Sequence, residues 1–263
     1  MSILKEQLLD KINNKTAKVG VVGLGYVGLP LAVEKASAGY QTIGFDVQDK
    51  KVNMVNDGQN YIGEVVDEKL KELVAAGTLK ATTDFSFVKD VDTICICVPT
   101  PLDLYKQPDL SYVVSSTESV AQYLHKGMLI ILESTTYPGT TEEVLKPILE
   151  KSGLKCGEDF FLAFSPERVD PGNKHYNTKN TPKVVGFTGK ALDVAKKTLT
   201  IKAGKKATIK AATMPNSKVT YKTSNKKVAT VTNKGVVKGV KKGKAVITVK
   251  ANGKTVKVKI TVK

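Results

Sequence analysis

The chain has 263 residues, long enough for two domains, and its 41% apolar content suffices for ordinary globular cores. No stretch reaches the 18 or more apolar residues of a membrane-spanning helix, and residues 1–15 lack a signal-peptide core, which favours a cytoplasmic setting. The net charge of +16 is unevenly held: residues 196–263 contain 20 Lys and no acid, whereas the remainder contains 21 basic and 25 acidic groups. This change of composition places a boundary near residue 195 and divides the chain into domains 1–195 and 196–263.

Residues 3–12 alternate apolar and charged residues at helical spacing and predict a helix ahead of the first strand. The next stretch, Val19-Gly20-Val21-Val22-Gly23-Leu24-Gly25-Tyr26-Val27-Gly28-Leu29-Pro30-Leu31, reads as strand, tight turn and helix. Its three glycines stand at G-x-G-x-x-G spacing. Gly23 lets the backbone reverse, Gly25 lets a pyrophosphate approach the main chain, and Gly28 lets the helix pack close to the strand. Taken alone the motif is weak, since a glycine-rich turn without a ligand has the same spelling. The following strand, Gln41 to Asp46, supplies the context: Asp46 stands 18 positions beyond Gly28, where the carboxylate that binds an adenosine ribose is expected. That acid favours NAD over NADP, because a 2′-phosphate beside it would meet like charge. Lys50 and Lys51 read either as ribose contacts or as the solvated first turn of the next helix.

Helical patterns follow at residues 50–56, 67–76, 112–124 and 141–151, with a short helical stretch after Lys190, and strands at 79–83, 92–98, 128–133, 160–165 and 183–187. The alternation predicts an α/β, doubly wound, mainly parallel sheet of Rossmann type, with ligand groups at the carboxyl ends of its strands. Cys95 and Cys97 fall on one face of a buried strand and read as small core residues. A Cys-x-Cys metal pair would need further ligands that the sequence does not bring near, so no metal site is expected. Cys156 stands alone.

Three strand ends carry specific wording: Cys97-Val98-Pro99-Thr100-Pro101-Leu102, Glu133-Ser134-Thr135-Thr136-Tyr137-Pro138-Gly139-Thr140-Thr141, and Phe164-Ser165-Pro166-Glu167-Arg168-Val169-Asp170-Pro171-Gly172. Proline stops the ladder and fixes each loop, while Ser and Thr place hydroxyls where a cofactor or sugar would lie. Together with the glycine turn and Lys183-Val184-Val185-Gly186, these segments resemble the amino-terminal domain of the UDP-glucose/GDP-mannose dehydrogenase family. Their wording is most similar to its UDP-N-acetyl-hexosamine 6-dehydrogenase branch, over roughly residues 1–192.

The resemblance implies a two-step, NAD-dependent oxidation of a UDP-sugar C6 hydroxyl to a carboxylate. It assigns Gly23, Leu24, Gly25, Tyr26, Val27 and Gly28 to the pyrophosphate, and Asp46 with Lys51 to the ribose. Thr100 and Thr135 fall to the nicotinamide half, with Thr135 also beside the hydrolytic water. Glu167 becomes an acid/base or orienting group, and Arg168 a partner of the nascent carboxylate. A local salt bridge between Glu167 and Arg168 is the plainer alternative. The family continues with a dimerising helix, a catalytic Lys and a nucleotide-binding half that carries a nucleophilic Cys. Here no cysteine follows Cys156, so the thiol chemistry has no carrier in these residues, and weak or absent oligomerisation is expected.

From about residue 197, Val-, Thr- and Ile-rich runs at 207–211, 219–223, 228–232, 235–240, 245–250 and 255–262 alternate apolar and polar residues between Gly or Asn turns. They predict a small antiparallel all-β sandwich, and their wording resembles the group-2 bacterial immunoglobulin-like domain. Its lysines suit an anionic polymer. A soluble sandwich with Lys at its outward positions is the plainer reading, and with Tyr221 as the only aromatic of this segment, specific nucleic-acid binding is not expected. Two functions follow: NAD binding by a dehydrogenase-type domain without full turnover, or a polyanion-binding or cell-surface module whose nucleotide fold is vestigial.

Overall fold

The structure, a computed structural model, describes residues 3–168, 175, 178–188, 191–214 and 217–263. The chain separates into two compact units, Met1–Thr188 and Gly189–Lys263.

The first unit runs α1 (Ile3–Asn13), β1 (Val19–Val22), α2 (Gly28–Ser37), β2 (Thr42–Phe45), α3 (Asp49–Asn56), α4 (Asp67–Ala75), β3 (Leu79–Thr82), β4 (Thr93–Ile96), α5 (Ser111–Ala121), β5 (Leu129–Leu132), α6 (Lys146–Glu150), β6 (Phe161–Phe164) and β7 (Gly186–Phe187). Its sheet has the order β3-β2-β1-β4-β5-β6-β7. All neighbours are parallel except β7, which pairs antiparallel with β6. This is the doubly wound Rossmann arrangement expected from the alternating elements. The strand order reverses between β1 and β4, so a crevice opens at their carboxyl ends.

Strand alternation feeds two cores, one on each face of the sheet. Val19, Val21, Cys95 and Cys97 pack with Leu29, Ala32 and Ala36 of α2 and Leu70 and Leu73 of α4. On the other face, Val22, Ile94, Ile96, Ile130 and Leu132 meet Val113 and Val120 of α5 and Leu149 of α6. Both cysteines of the Cys-x-Cys pair are therefore core residues. Burial pushes the Cys95 thiol up to about 12. Among the described residues no group of His, Cys, Asp and Glu could hold a metal ion, and no helix is long and apolar enough to cross a membrane.

The second unit runs β8 (Ala191–Val194), β9 (Thr198–Ile201), β10 (Lys206–Thr208), β11 (Ala211–Met214), β12 (Thr220–Thr223), β13 (Ala229–Val231), β14 (Val236–Gly239), β15 (Gly243–Ala251) and β16 (Lys254–Val262). Sheets β10-β14-β13 and β12-β15-β16-β9, with the pair β11-β8, enclose Ile201, Ile209, Ala229, Val237, Ile247, Val249, Val258 and Ile260. Inward apolar residues alternate with outward Lys and Thr along β15 and β16, giving an immunoglobulin-like sandwich.

Local readings change in four places. The stretch after Lys190, expected to be helical, is strand β8, because Val194 pairs with Ala211 and contributes to the sandwich core. The run at 207–211 is two strands in different sheets. Strand β9 pairs parallel with β16, so the sandwich is not wholly antiparallel. The strand expected over 183–187 is reduced to Gly186–Phe187, which alone pairs with β6, opposite Phe164 and Ala163.

Candidate dinucleotide site at the sheet switch point

The turn between β1 and α2 uses its glycines for three different reasons. Gly23 has a φ of +87°, which L side chains rarely adopt, and a Cβ there would lie 3.0 Å from the Cys97 carbonyl oxygen. At Gly28 a Cβ would stand 1.8 Å from the Gly23 carbonyl oxygen, so this glycine is required by the contact between turn and helix. Gly25 has no such internal reason: a Cβ there meets nothing within 4 Å. The protein leaves open space at the one glycine whose expected task is to admit a pyrophosphate. Directly beyond it, α2 begins with no side-chain cap, so its amino end presents backbone N–H groups to the crevice.

Asp46 ties β2 to this turn. Its Oδ2 accepts the Leu24 N–H at 2.8 Å and its Oδ1 accepts the Gln48 N–H at 3.0 Å, while Lys51 Nζ lies 3.5 Å from Oδ2. The carboxylate is 6% exposed. A carboxylate has about four acceptor positions, so two N–H groups leave capacity for ribose hydroxyls. Leu24 itself is wholly buried and fills the space over Gly44, where a Cβ would come within 2.6 Å of its Cδ2. Leu24 and the half-buried Val27, packed on the same core, thus offer the site backbone rather than side chain. Tyr26 is exposed and its hydroxyl donates to Glu64. Tyr61, which the sequence reading did not single out, donates its hydroxyl to the Leu24 carbonyl at 2.7 Å. Burial and the Asp46 charge push its phenol well above the usual range, keeping it a neutral donor that braces the turn.

At the ends of β4 and β5, Thr100 donates to the Thr135 carbonyl at 2.6 Å and Ser134 to the Val98 carbonyl at 3.0 Å. Thr140 bonds the Tyr137 carbonyl and the Thr136 hydroxyl, which fixes the loop that follows. The Thr100 and Thr135 loops are thereby laced together, with the Thr135 side chain exposed.

Glu167 and Arg168 do not form the local side-chain bridge considered from sequence. Glu167 Oε1 accepts the Arg168 backbone N–H at 2.7 Å, and its ion pair is with Lys183 at 3.5 Å. Lys183 also lies 2.5 Å from Glu133. Burial disfavours the Lys183 ammonium, yet the hydrogen bond to Glu133 and the charges of Glu133 and Glu167 outweigh it and raise the group above its ordinary value. Sequence reasoning missed Glu133 and Lys183 as a pair, 50 residues apart, although both stand inside the quoted motifs. Val169, Asp170, Pro171 and Gly172 of the third motif lie outside the described residues.

No thiol is poised as a nucleophile. Cys97 is held well above the usual thiol range by burial first, then by Cys95, Glu133 and Glu167, against Lys183. Cys156 is raised by burial and sits 3.2 Å from the Thr188 hydroxyl.

Residues 17–203 match the UDP-glucose/GDP-mannose dehydrogenase family, NAD binding domain, and residues 188–262 match the bacterial Ig-like domain (group 2). The chain is similar to a UDP-N-acetyl-D-glucosamine 6-dehydrogenase of Pseudomonas aeruginosa, 44% identical over 65% of this chain and 40% of that protein. A Salmonella typhi protein of the same name is 41% identical over 64% of this chain and 39% of its own length. Among solved structures, the NDP-N-acetyl-D-galactosaminuronic acid dehydrogenase of Methanosarcina mazei aligns with a TM-score of 0.64 and 39% identity, over 71% of this chain and 42% of that one. The chain therefore spans about two fifths of the length of these relatives.

Proposed function

Because this chain belongs to the UDP-glucose/GDP-mannose dehydrogenase family through that family's NAD binding domain, we propose that its first unit is the cofactor half of a UDP-N-acetyl-hexosamine 6-dehydrogenase-type oxidation. The open space at Gly25 carries this reading, since nothing else in the turn requires a glycine there. NAD bound in this crevice would accept the hydride from a sugar C6. The turn and the amino end of α2 hold the pyrophosphate, and Asp46 with Lys51 takes the ribose hydroxyls and disfavours a 2′-phosphate. Thr100 and Thr135 flank the nicotinamide half, with Thr135 helping to position the hydrolytic water. Glu167 orients or exchanges protons with substrate, and Arg168 pairs with the product carboxylate.

A UDP-sugar fits this reading as substrate. Within these 263 residues no cysteine follows Cys156 and the three present are not activated, so binding of NAD without completed two-step oxidation is the expected behaviour. NAD-linked sugar oxidation places the activity in the cytoplasm, and the weak or absent oligomerisation expected from sequence belongs to the same reading. The test is calorimetric titration of the chain with NAD, repeated with Asp46→Ala. Binding weakened at least tenfold by the substitution supports the proposal, and a folded chain that binds no NAD sinks it.

A second reading rests on the sandwich. Its outward positions include Lys222, Lys244, Lys250, Lys257 and Lys259, all exposed, interleaved with Thr220, Thr248, Thr255 and Thr261. This cationic face suits an anionic polymer. Retention on heparin that falls steeply with salt, in a chain that binds no NAD, would favour it.

A further inference from the structure

Leu24 sits between two glycines, Gly23 and Gly25, in the turn that joins β1 to α2. Glycines on both sides leave the peptide units around it with little steric restraint. At Gly25 a Cβ would meet no heavy atom within 4 Å, so packing does not hold that part of the backbone. Two side chains hold it instead. Asp46 Oδ2 accepts the Leu24 N–H at 2.8 Å, and the Tyr61 hydroxyl donates to the Leu24 carbonyl at 2.7 Å. The first bond comes from the carboxylate at the end of β2. The second comes from the loop between α3 and α4.

That loop is built to deliver the hydroxyl. It leaves α3 through Gly58, whose φ of +68° L side chains rarely adopt. Asn60 then folds it back: its Nδ2 donates to the Ile62 and Val65 carbonyls at 2.8 and 2.6 Å, and its Oδ1 accepts the Ile62 N–H at 2.8 Å. The Tyr61 ring packs against the core that contains Leu24 and Leu29. Glu64, three residues on, accepts from the Tyr26 hydroxyl. The loop therefore grips the glycine turn on both sides of Gly25.

Peptide geometry gives the Tyr61 bond a consequence for an anion. The C=O and N–H of a trans peptide point in opposite directions. While Tyr61 holds the Leu24 carbonyl, the Gly25 N–H of the same peptide points away from Tyr61, and no group among the described residues accepts from it. Rotation of this peptide would put a carbonyl oxygen where the N–H had been, and so replace a donor by partial negative charge. Burial, with the Asp46 charge, holds the phenol un-ionised, so it remains a donor.

We propose that Tyr61 is a positioning residue for the cofactor: by holding the Leu24 carbonyl it keeps the Gly25 N–H turned toward the pyrophosphate and the carbonyl turned away from it. This assignment rests on the NAD reading above and adds to it a group that touches no ligand yet sets the affinity for the phosphates. A neutral hydrogen bond made in one peptide orientation only changes the ratio of the two orientations by up to about tenfold, and the affinity falls with the share of chains left in the competent one.

The experiment titrates NAD, ADP and adenosine into the full chain as wild type, Tyr61→Phe, Asn60→Ala and the double variant, with circular dichroism to verify folding. Tyr61→Phe should weaken NAD and ADP by about twofold to tenfold and leave adenosine, which has no phosphate, unchanged. The double variant should be no worse than its weaker single, because both changes act through one hydroxyl, whereas independent structural roles would add. In 15N relaxation dispersion, the Gly25 amide of Tyr61→Phe should show exchange that is absent in the wild type and that ADP suppresses. Should Tyr61→Phe fail to fold, Asn60→Ala takes its place and must weaken NAD and ADP while sparing adenosine. Unchanged NAD and ADP affinity in a folded variant, or an equal loss for adenosine, overturns this assignment alone. A wild type that binds neither NAD nor ADP overturns the NAD reading with it.

Discussion

Substituting Gly25 by Ala separates the demands of the fold from those of the ligand. A Cβ at this position has no heavy atom within 4 Å, and the backbone there is not in the left-handed region. The substitution should therefore leave the first unit as stable as before, or more stable by about 0.4–1 kcal/mol through reduced freedom of the unfolded chain. For a unit of this size that is a rise of no more than about 4 °C in Tm. NAD affinity should fall by at least about tenfold, equivalent to about 1.4 kcal/mol or more, because the methyl group occupies the approach of the pyrophosphate. Gly28→Ala is the contrast. Its Cβ would stand 1.8 Å from the Gly23 carbonyl oxygen, so the turn or α2 must shift, at a cost of about 3 kcal/mol or more. Thermal unfolding and NAD calorimetry on both variants form the assay. Gly25→Ala binding NAD as tightly as the wild type, or losing as much stability as Gly28→Ala, would refute the reasoning.

Asp46→Asn keeps one acceptor oxygen for the turn but removes the charge, so competition titrations should find NADP discriminated against less strongly than in the wild type. Lys183 has a raised pKa in the folded chain, so its contribution to stability is fully present below the ordinary lysine value of 10.5 and is lost as pH rises through the raised value. Lys183→Met should accordingly flatten the alkaline limb of a stability–pH profile measured by urea unfolding, and an unchanged limb would contradict the pairing with Glu133. In the sandwich, Lys206 and Lys238 stand directly opposite each other on β10 and β14, and residues 196–263 contain no acid. Lys238→Glu should raise that unit's stability by about 0.5–1 kcal/mol at low salt, with the gain shrinking in 1 M NaCl. Phe160→Ala removes a side chain with no exposed surface from the core beneath β5 and β6, and should cost about 3–5 kcal/mol in chemical denaturation.

Legibility differed by the range of the interactions involved. The glycine turn, Asp46 at its distance from Gly28, and the hydroxyl-bearing strand ends are local patterns, and each could be read from a few consecutive residues. Glu133 and Lys183 were both visible as letters, but their contact spans 50 residues and depends on β5 and β7 meeting around β6. Tyr61 gave no signal at all, since its function as a brace exists only because the loop after α3 returns to the Leu24 carbonyl. The short segment after Lys190 misled because four residues cannot separate helical from strand periodicity, and its partner in β11 decided the matter.

By itself the sequence determined the alternation of elements, the parallel sheet it implies, the glycine turn and the change of composition near residue 195, because periodicity, turn chemistry and charge are properties of neighbouring residues. Only the tertiary structure decided which glycines of the turn are required by packing, that Glu167 reaches Lys183, and that two carboxylates share one lysine. Those are facts of distance between segments far apart in the chain, fixed when the sheet brings its strand ends together.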